Sequence, residues 1–168
     1  MHCPPPSVLA PQLLPPLLLL AAIGGAEARW YSVVDYGALG DNYTDDTVAF
    51  EKAIAAAAAT DCSTAPTGCG VFVPGHAKDL PGPPAAYKIR PINLTSHMAL
   101  WIQGGARIVG MPDTHAWPII PPLPSYGQGR NHGAFSPRYT SLLHGENLTN
   151  VTIRGDGAGT AFIAPVLY

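Results

Sequence analysis

Asp35-Tyr-Gly-Ala-Leu-Gly-Asp-Asn-Tyr-Thr-Asp-Asp-Thr-Val-Ala-Phe-Glu-Lys-Ala-Ile54 reads as a strand end, a glycine turn and a capped helix. Before it, Ser32 to Tyr36 carry the β-branched pair Val33 and Val34 and are expected to be extended. Gly37 and Gly40 then break the run, since each takes a positive φ without a Cβ clash. Thr44 is expected to be the N-cap, its hydroxyl accepting from the orphan N–H groups of the first turn, with Asp45 and Asp46 placed against the positive helix end. Within a helix from Thr44 to Ala58, Phe50, Ala53, Ile54 and Ala57 fall on one face and Glu51 and Lys52 fall elsewhere, so the helix covers something apolar. A calcium loop begun at Asp41 would need glycine in sixth place and glutamate in twelfth. Asp46 and Lys52 stand there, so capping and turn roles are expected for the three aspartates and no metal site is assigned.

The wording D-Y-G-A-x-G-D-x-x-T-D-D-T-x-A-F-x-x-A-I resembles the N-terminal signature of the pectate-lyase-like superfamily, and more narrowly that of the plant-type polygalacturonases of glycoside hydrolase family 28. The resemblance implies an all-β chain, a right-handed single-stranded parallel β-helix, with an N-terminal α-helix plugging its first turn. Where that signature has a glycine after Asp41, this chain has Asn42, the next most tolerant residue for a left-handed backbone.

After the helix the pattern changes to short apolar runs: Val71 to Pro74, Tyr87 to Arg90, Ile92 to Leu94, Ala99 to Ile102, Arg107 to Val109, Ser141 to Leu143 and Val151 to Ile153. Gly, Pro, Asn and Ser punctuate them, which argues a sandwich, a barrel or a solenoid. Asn93-Leu-Thr95 before one strand recurs as Asn147-Leu-Thr149 before another, an internal echo that favours the solenoid, in which Leu and Ile stack in layers. Tyr87 to Ser96 and Leu100 to Gly110 are similar to early coils of plant polygalacturonases. The resemblance runs from about Trp30 to Gly157.

Between those coils lies Met111 to Thr140, with Trp117-Pro-Ile-Ile-Pro-Pro-Leu-Pro-Ser-Tyr-Gly-Gln-Gly-Arg130 at its centre. A connection of this length is usually functional or disordered. Its wording is similar to one plant-type subgroup. Tyr126, Arg130, Arg138 and Tyr139 are candidates to line a groove for an acidic sugar chain, aromatic faces meeting rings and guanidinium meeting carboxylate. Trp117, Ile119, Ile120 and Leu123 are expected to pin the loop to the coils.

Residues 1 to 28 read as a secretory signal. Leu13 to Ile23 form a short apolar core broken by Pro15 and Pro16, and Ala26-Glu-Ala28 offers small residues before a cut at Arg29. Residues 29 to 168 are then one domain's worth of chain. Charged residues make up 12% of the sequence and the net charge is −2, about half the usual charged share of roughly 25%. Four sequons, at Asn42, Asn93, Asn147 and Asn150, offer N-glycans as an alternative means of solvation. Cys62 and Cys69 bracket a turn-rich loop and are read as a disulfide of the oxidising route. A zinc pair is the alternative, and no second ligand pair stands at zinc spacing. The product is expected to be secreted to the extracellular space or cell wall, with no nucleic-acid partner, no membrane association after signal cleavage, and a monomer if folded.

Family 28 enzymes invert at the sugar carbon with one carboxylic acid and one carboxylate base. The resemblance places those groups in motifs reading N-T-D, D-D, G-H-G and R-I-K, none of which occurs here in a matching context. Thr44-Asp-Asp46 belongs to the helix start, Gly75-His-Ala77 lacks the second glycine, and Lys88-Ile-Arg90 is in another order. No catalytic residue, cofactor or metal is therefore assigned, and His76, His97, His115, His132 and His144 show no ligand spacing. Gly155 to Gly159 lack the Lys-Ser/Thr of a phosphate loop and read as a turn. From Ala161 to Tyr168 the chain leaves the family wording, so it is expected to be an N-terminal portion of a polygalacturonase-like hydrolase of pectin, inactive by itself. A calcium-dependent pectate-lyase-type enzyme and a non-catalytic pectin-binding fragment are the alternatives.

Overall fold

The computed structural model describes residues 28–60, 69–76, 82–113, 115, 117–121, 138–157 and 161–163. The first coil consists of β1 (Arg29–Ser32), β2 (Asp41–Asp45) and α1 (Thr47–Ala58). The second holds β3 (Cys69–Val73), β4 (Ala86–Ile89) and β5 (Ile92–Asn93). The third holds β6 (Met98–Ile102), β7 (Arg107–Gly110) and, after an excursion, β10 (Leu143–His144). The excursion contains β8 (Ile119–Ile120) and β9 (Arg138–Tyr139), and β11 (Val151–Gly155) and β12 (Ala161–Ile163) begin a fourth coil.

Equivalent strands of successive coils pair in parallel, in the orders β1-β3-β6-β11, β2-β4-β7-β12 and β5-β10. A strand that joins only its counterparts one coil away cannot close a hairpin with its sequence neighbour, so the chain winds as a solenoid. The right-handed single-stranded parallel β-helix expected from the resemblance is the architecture found.

Register puts like residues above like. Val71 faces Leu100 and Val73 faces Ile102 on one sheet, Tyr87 faces Ile108 on the second, and Ile92 faces Leu143 on the third. All but the last named are buried. Gly70 is required where two coils approach, since a Cβ there would lie 1.9 Å from the Ala99 carbonyl oxygen.

Helix α1 occupies the third side of the first coil and packs on β1, β3 and β5. Phe50, Ala53, Ile54 and Ala57 are all buried, as the spacing predicts, and Phe50 meets Tyr87 edge-on with centroids 5.8 Å apart. The start of the helix differs from expectation. Thr44 lies in β2, its hydroxyl donating to Asp41 Oδ2 at 2.8 Å, and Asp46 is the N-cap residue. Asp46 makes no side-chain cap bond. Its carboxylate instead accepts from Leu39 N–H at 2.8 Å and Gly40 N–H at 3.1 Å, tying the glycine turn to the helix. The expected strand at Ser32 to Tyr36 is likewise shifted: β1 ends at Ser32, and Val33 to Gly37 form a tight turn in which Ala38 N–H reaches Val33 O at 3.0 Å. Gly37, Gly40 and Asn42 have φ of 100°, 62° and 65°, as the turn reading requires.

The Asn-Leu-Thr echo is not a strand-to-strand match. Asn93 pairs with His144, whereas Asn147 lies in the turn beyond β10, and the following strands align Met98 with Val151. The recurrence marks the same corner of two coils, three residues out of step with the strands before it and one with the strands after it. Among the described residues no helix is long and apolar enough to cross a membrane.

Candidate functional site

Two surfaces carry the chemistry-bearing residues. The first is the excursion. Trp117 is buried and its Nε1–H donates to Met111 O at 2.8 Å, so the indole closes the excursion onto the coil it leaves. Next to it β8 and β9 pair antiparallel, Ile119 with Tyr139 and Ile120 with Arg138, forming a neck. Thr140 N–H to Pro118 O at 2.9 Å locks the base. Pinning by Trp117 agrees with the sequence reading. Ile119 does not pin: it is 65% exposed, because neck pairing holds its backbone while its side chain faces outward. Leu123 lies outside the described residues.

Of the four groove candidates, Arg138 and Tyr139 are brought together on β9 at the mouth of the excursion, with Tyr139 42% exposed. Tyr126 and Arg130 lie outside the described residues.

The second surface is the outer face of the β1-β3-β6-β11 sheet. Phe72, Trp101 and Arg154 stand in one register row. Trp101 packs against Phe72 at a tilt with centroids 4.8 Å apart and meets Trp30 edge-on at 5.1 Å, while the Arg154 guanidinium lies 4.3 Å from the Trp101 centroid and 5.1 Å from that of Trp30. A cation held over two ring faces in this way is favoured by the ring quadrupole. The sequence reading missed this row. Its signal, aromatics and arginine recurring at coil spacing, emerges only once the register is known.

The acidic groups are engaged in local bonding. Asp41 accepts from the Thr44 and Tyr43 N–H groups and the Thr44 hydroxyl, which hold its carboxyl below the ordinary aspartate range. For Asp45 burial pushes upward, but the Thr47 hydroxyl and N–H, together with Arg90 at 2.8 Å, outweigh it and the net direction is down. Burial raises Asp46, against the lowering effect of its Leu39 and Gly40 bonds. Among the described residues no group of three or more His, Cys, Asp or Glu side chains is placed to hold a metal ion.

Ser141, His144 and Glu146 come together in a manner the sequence did not suggest. Ser141 Oγ is 3.5 Å from His144 Nδ1, and His144 Nε2 is 3.6 Å from Glu146 Oε1. The arrangement is not an activated nucleophile, because the serine hydroxyl donates to Leu143 O at 2.7 Å and the ring contact is long. Strand β10 and its turn fold Glu146 back toward the His144 ring, a carboxylate neighbour that ligand spacing in the sequence does not reveal.

All four sequon asparagines, Asn42, Asn93, Asn147 and Asn150, are exposed. Asn150 Nδ2 lies 3.4 Å from His97 Nδ1. Cys69 is buried and disulfide-bonded, while Cys62 lies outside the described residues.

Stacked parallel coils, one covering helix and a clamped excursion define a parallel β-helix. Residues 30–75 match the family described as rhamnogalacturonase A/epimerase, pectate lyase-like. A probable polygalacturonase of Vitis vinifera is 39% identical over 125 residues, which cover 74% of this chain and 23% of that protein. The family 28 exopolygalacturonase of Yersinia enterocolitica superposes with a TM-score of 0.54 at 24% identity, over 78% of this chain and 20% of that one. The last comparison concerns the fold. Taken together, the chain is similar to polygalacturonases of glycoside hydrolase family 28, and it spans less than a quarter of the length of either relative.

Proposed function

We propose that this chain forms the opening coils of a secreted polygalacturonase-type hydrolase of pectin, and contributes substrate binding rather than the bond-breaking carboxylates. The observation that carries the reading is the likeness to a probable polygalacturonase over 125 residues, which extends well past the capping signature. Hydrolysis with inversion needs an acid and a base on opposite sides of the glycosidic bond, roughly 6.5–9.5 Å apart. Asp41, Asp45 and Asp46 serve turn and helix instead, which is consistent with a binding part. Arg138 and Tyr139, with Tyr126 and Arg130, are the groove residues we assign to the uronide chain. The same reading makes residues 1 to 28 a signal, pairs Cys62 with Cys69, and places glycans on the exposed sequons Asn42, Asn93, Asn147 and Asn150.

Pull-down of the full chain on insoluble polygalacturonate tests it, with reducing-end release and absorbance of unsaturated products followed in the same tubes. Retention without either product is expected. Ultraviolet-absorbing product would move the reading to a lyase, reducing ends alone would give the chain catalysis of its own, and absence of retention would remove the binding part.

A further inference from the structure

A polar recess lies on the β2-β4-β7-β12 sheet. Register aligns Asp41 with Ala86 and Ala86 with Arg107, so three coils contribute one row. The middle member is a methyl group. Ala86 alternates with the inward Tyr87 and so lies on the outer side of the sheet, yet it is buried, and Gly82, Pro83 and Pro84 line the recess with it. The result is a recess of about 410 Å³, floored by Ala86 and walled by Leu39 and Tyr43 on one side and Pro83 and Pro84 on the other, with Asp41 and Arg107 at its ends.

Two strand spacings separate those ends, about 10 Å, too far for a direct ion pair. The described ion pairs are Arg90 with Asp45 and His144 with Glu146, so Arg107 is exposed without a carboxylate among the described residues. Asp41 spends its inward lone pairs on Tyr43, Thr44 N–H and the Thr44 hydroxyl. Three of its roughly four acceptor sites are used in this way, which leaves one on Oδ2, and Asp41 lines the recess. Tyr43 is 84% exposed, a large ring left in water at the rim.

We propose that this recess is an accessory binding site for an acidic sugar, one or two uronic-acid units of a polyuronide. This rests on the proposed pectin-directed function and adds a second contact to it. Arg107 takes the carboxylate in a forked pair, Asp41 accepts from ring hydroxyls, and Tyr43, Leu39 and the two prolines meet the apolar ring faces. The volume falls in the range of small-ligand clefts, which combine apolar walls with a few polar groups. Asn42 also borders the recess and carries a sequon, so the chain's own glycan is the competing occupant. The core of such a glycan is neutral and leaves the Arg107 charge unmatched, which favours the acidic ligand.

Titration of the secreted full chain with tri-galacturonate and with galactotriose, followed calorimetrically, tests the site on wild type, Arg107→Gln, Tyr43→Ala, Arg138→Gln and Asn42→Gln. Both recess side chains are exposed, so these variants should keep the wild-type melt. One charge-assisted contact is worth about 1.5–3 kcal/mol, so Arg107→Gln should weaken tri-galacturonate binding roughly tenfold or more. Tyr43→Ala should weaken it less, and galactotriose should bind worse than the acid. Arg138→Gln should leave one acid-selective event intact. Binding unchanged in Arg107→Gln but lost in Arg138→Gln would overturn the accessory site while leaving the functional reading in place. Binding that appears only in Asn42→Gln would overturn it in favour of the glycan. No tri-galacturonate binding by any form would also overturn it, and the pull-down above then judges the functional reading separately.

Discussion

The first coil and the excursion both interrupt a regular winding, and they are held in opposite ways. Gly70 and Ala99 are in register one coil apart, whereas Arg29 to Cys69 must accommodate α1 and Met98 to Val151 must accommodate the excursion. The helix is fixed throughout its length. Its apolar face is buried, its first turn is tied to β2 and β4, and Asp46 binds it to the turn before it. Among the described residues the excursion is held at its base, by one buried indole and a two-pair neck. The lesson is about where function is free to vary. An insertion that fills the core must fit the coil above it, while one clamped at the neck leaves the solenoid indifferent to what it carries.

The strongest way to break this contrast is Phe50→Ala. Phe50 is fully buried under the helix and edge-on to Tyr87, and removing such a ring costs about 3–5 kcal/mol. Chemical denaturation should show that loss for the whole β-helix, since Phe50 bridges the first two coils. A loss below about 1 kcal/mol would mean that the helix is an ornament rather than a cover for the core.

Trp117→Phe sharpens the other half. Most of the ring burial is kept and the Met111 bond is lost, an expected cost of about 1 kcal/mol. Its larger effect should be local. Amide exchange should accelerate across Pro118 to Thr140 and stay unchanged in β3 and β6 if the excursion opens independently of the coils. Uniform acceleration would show that the neck and the solenoid are one cooperative unit.

Much of the first coil was legible because its signals are local. The three-and-four spacing of Phe50, Ala53, Ile54 and Ala57 named the buried face, and Gly37, Gly40 and Asn42 named the left-handed turn. What failed was the polar strand β2. Asp41-Asn-Tyr-Thr-Asp45 has no β-branched alternation, and it is extended because β4 offers it a parallel partner, a tertiary cause invisible to propensity. The same cause moved the cap, since a Thr44 committed to β2 and Asp41 cannot begin a helix. For the site, composition pointed to the excursion, but the neck that carries Arg138 and Tyr139 is set by the pairing of β9 with β8, which the sequence did not show. The Asp41–Ala86–Arg107 row and the Trp101–Arg154 stack depend on coil lengths that differ from turn to turn, so no fixed period in the sequence could align them.

The smallest expected effect tests whether the helix start is tied electrostatically as well as by packing. Asp45 is held below its ordinary value of 3.8, with Arg90 among the lowering causes. A depressed aspartate contributes stability that is present above the unfolded value and is lost as pH falls through the folded one. Arg90→Gln removes part of that depression, so the variant should trail the wild type above pH 3.8 and converge with it in acid. Both side chains are partly exposed, 52% and 30%, so solvent and salt reduce the pair to about 0.5–1 kcal/mol. Asp46 acts in the reverse sense. Its raised value favours the fold below pH 3.8 and withdraws that contribution as pH rises through it, and Arg90→Gln leaves this component untouched. Urea midpoints taken from pH 3 to 7 at low and high salt separate the two. A gap between wild type and Arg90→Gln that closes in acid and in salt marks the Asp45 pair, and a gap constant across both would assign Arg90 to packing alone.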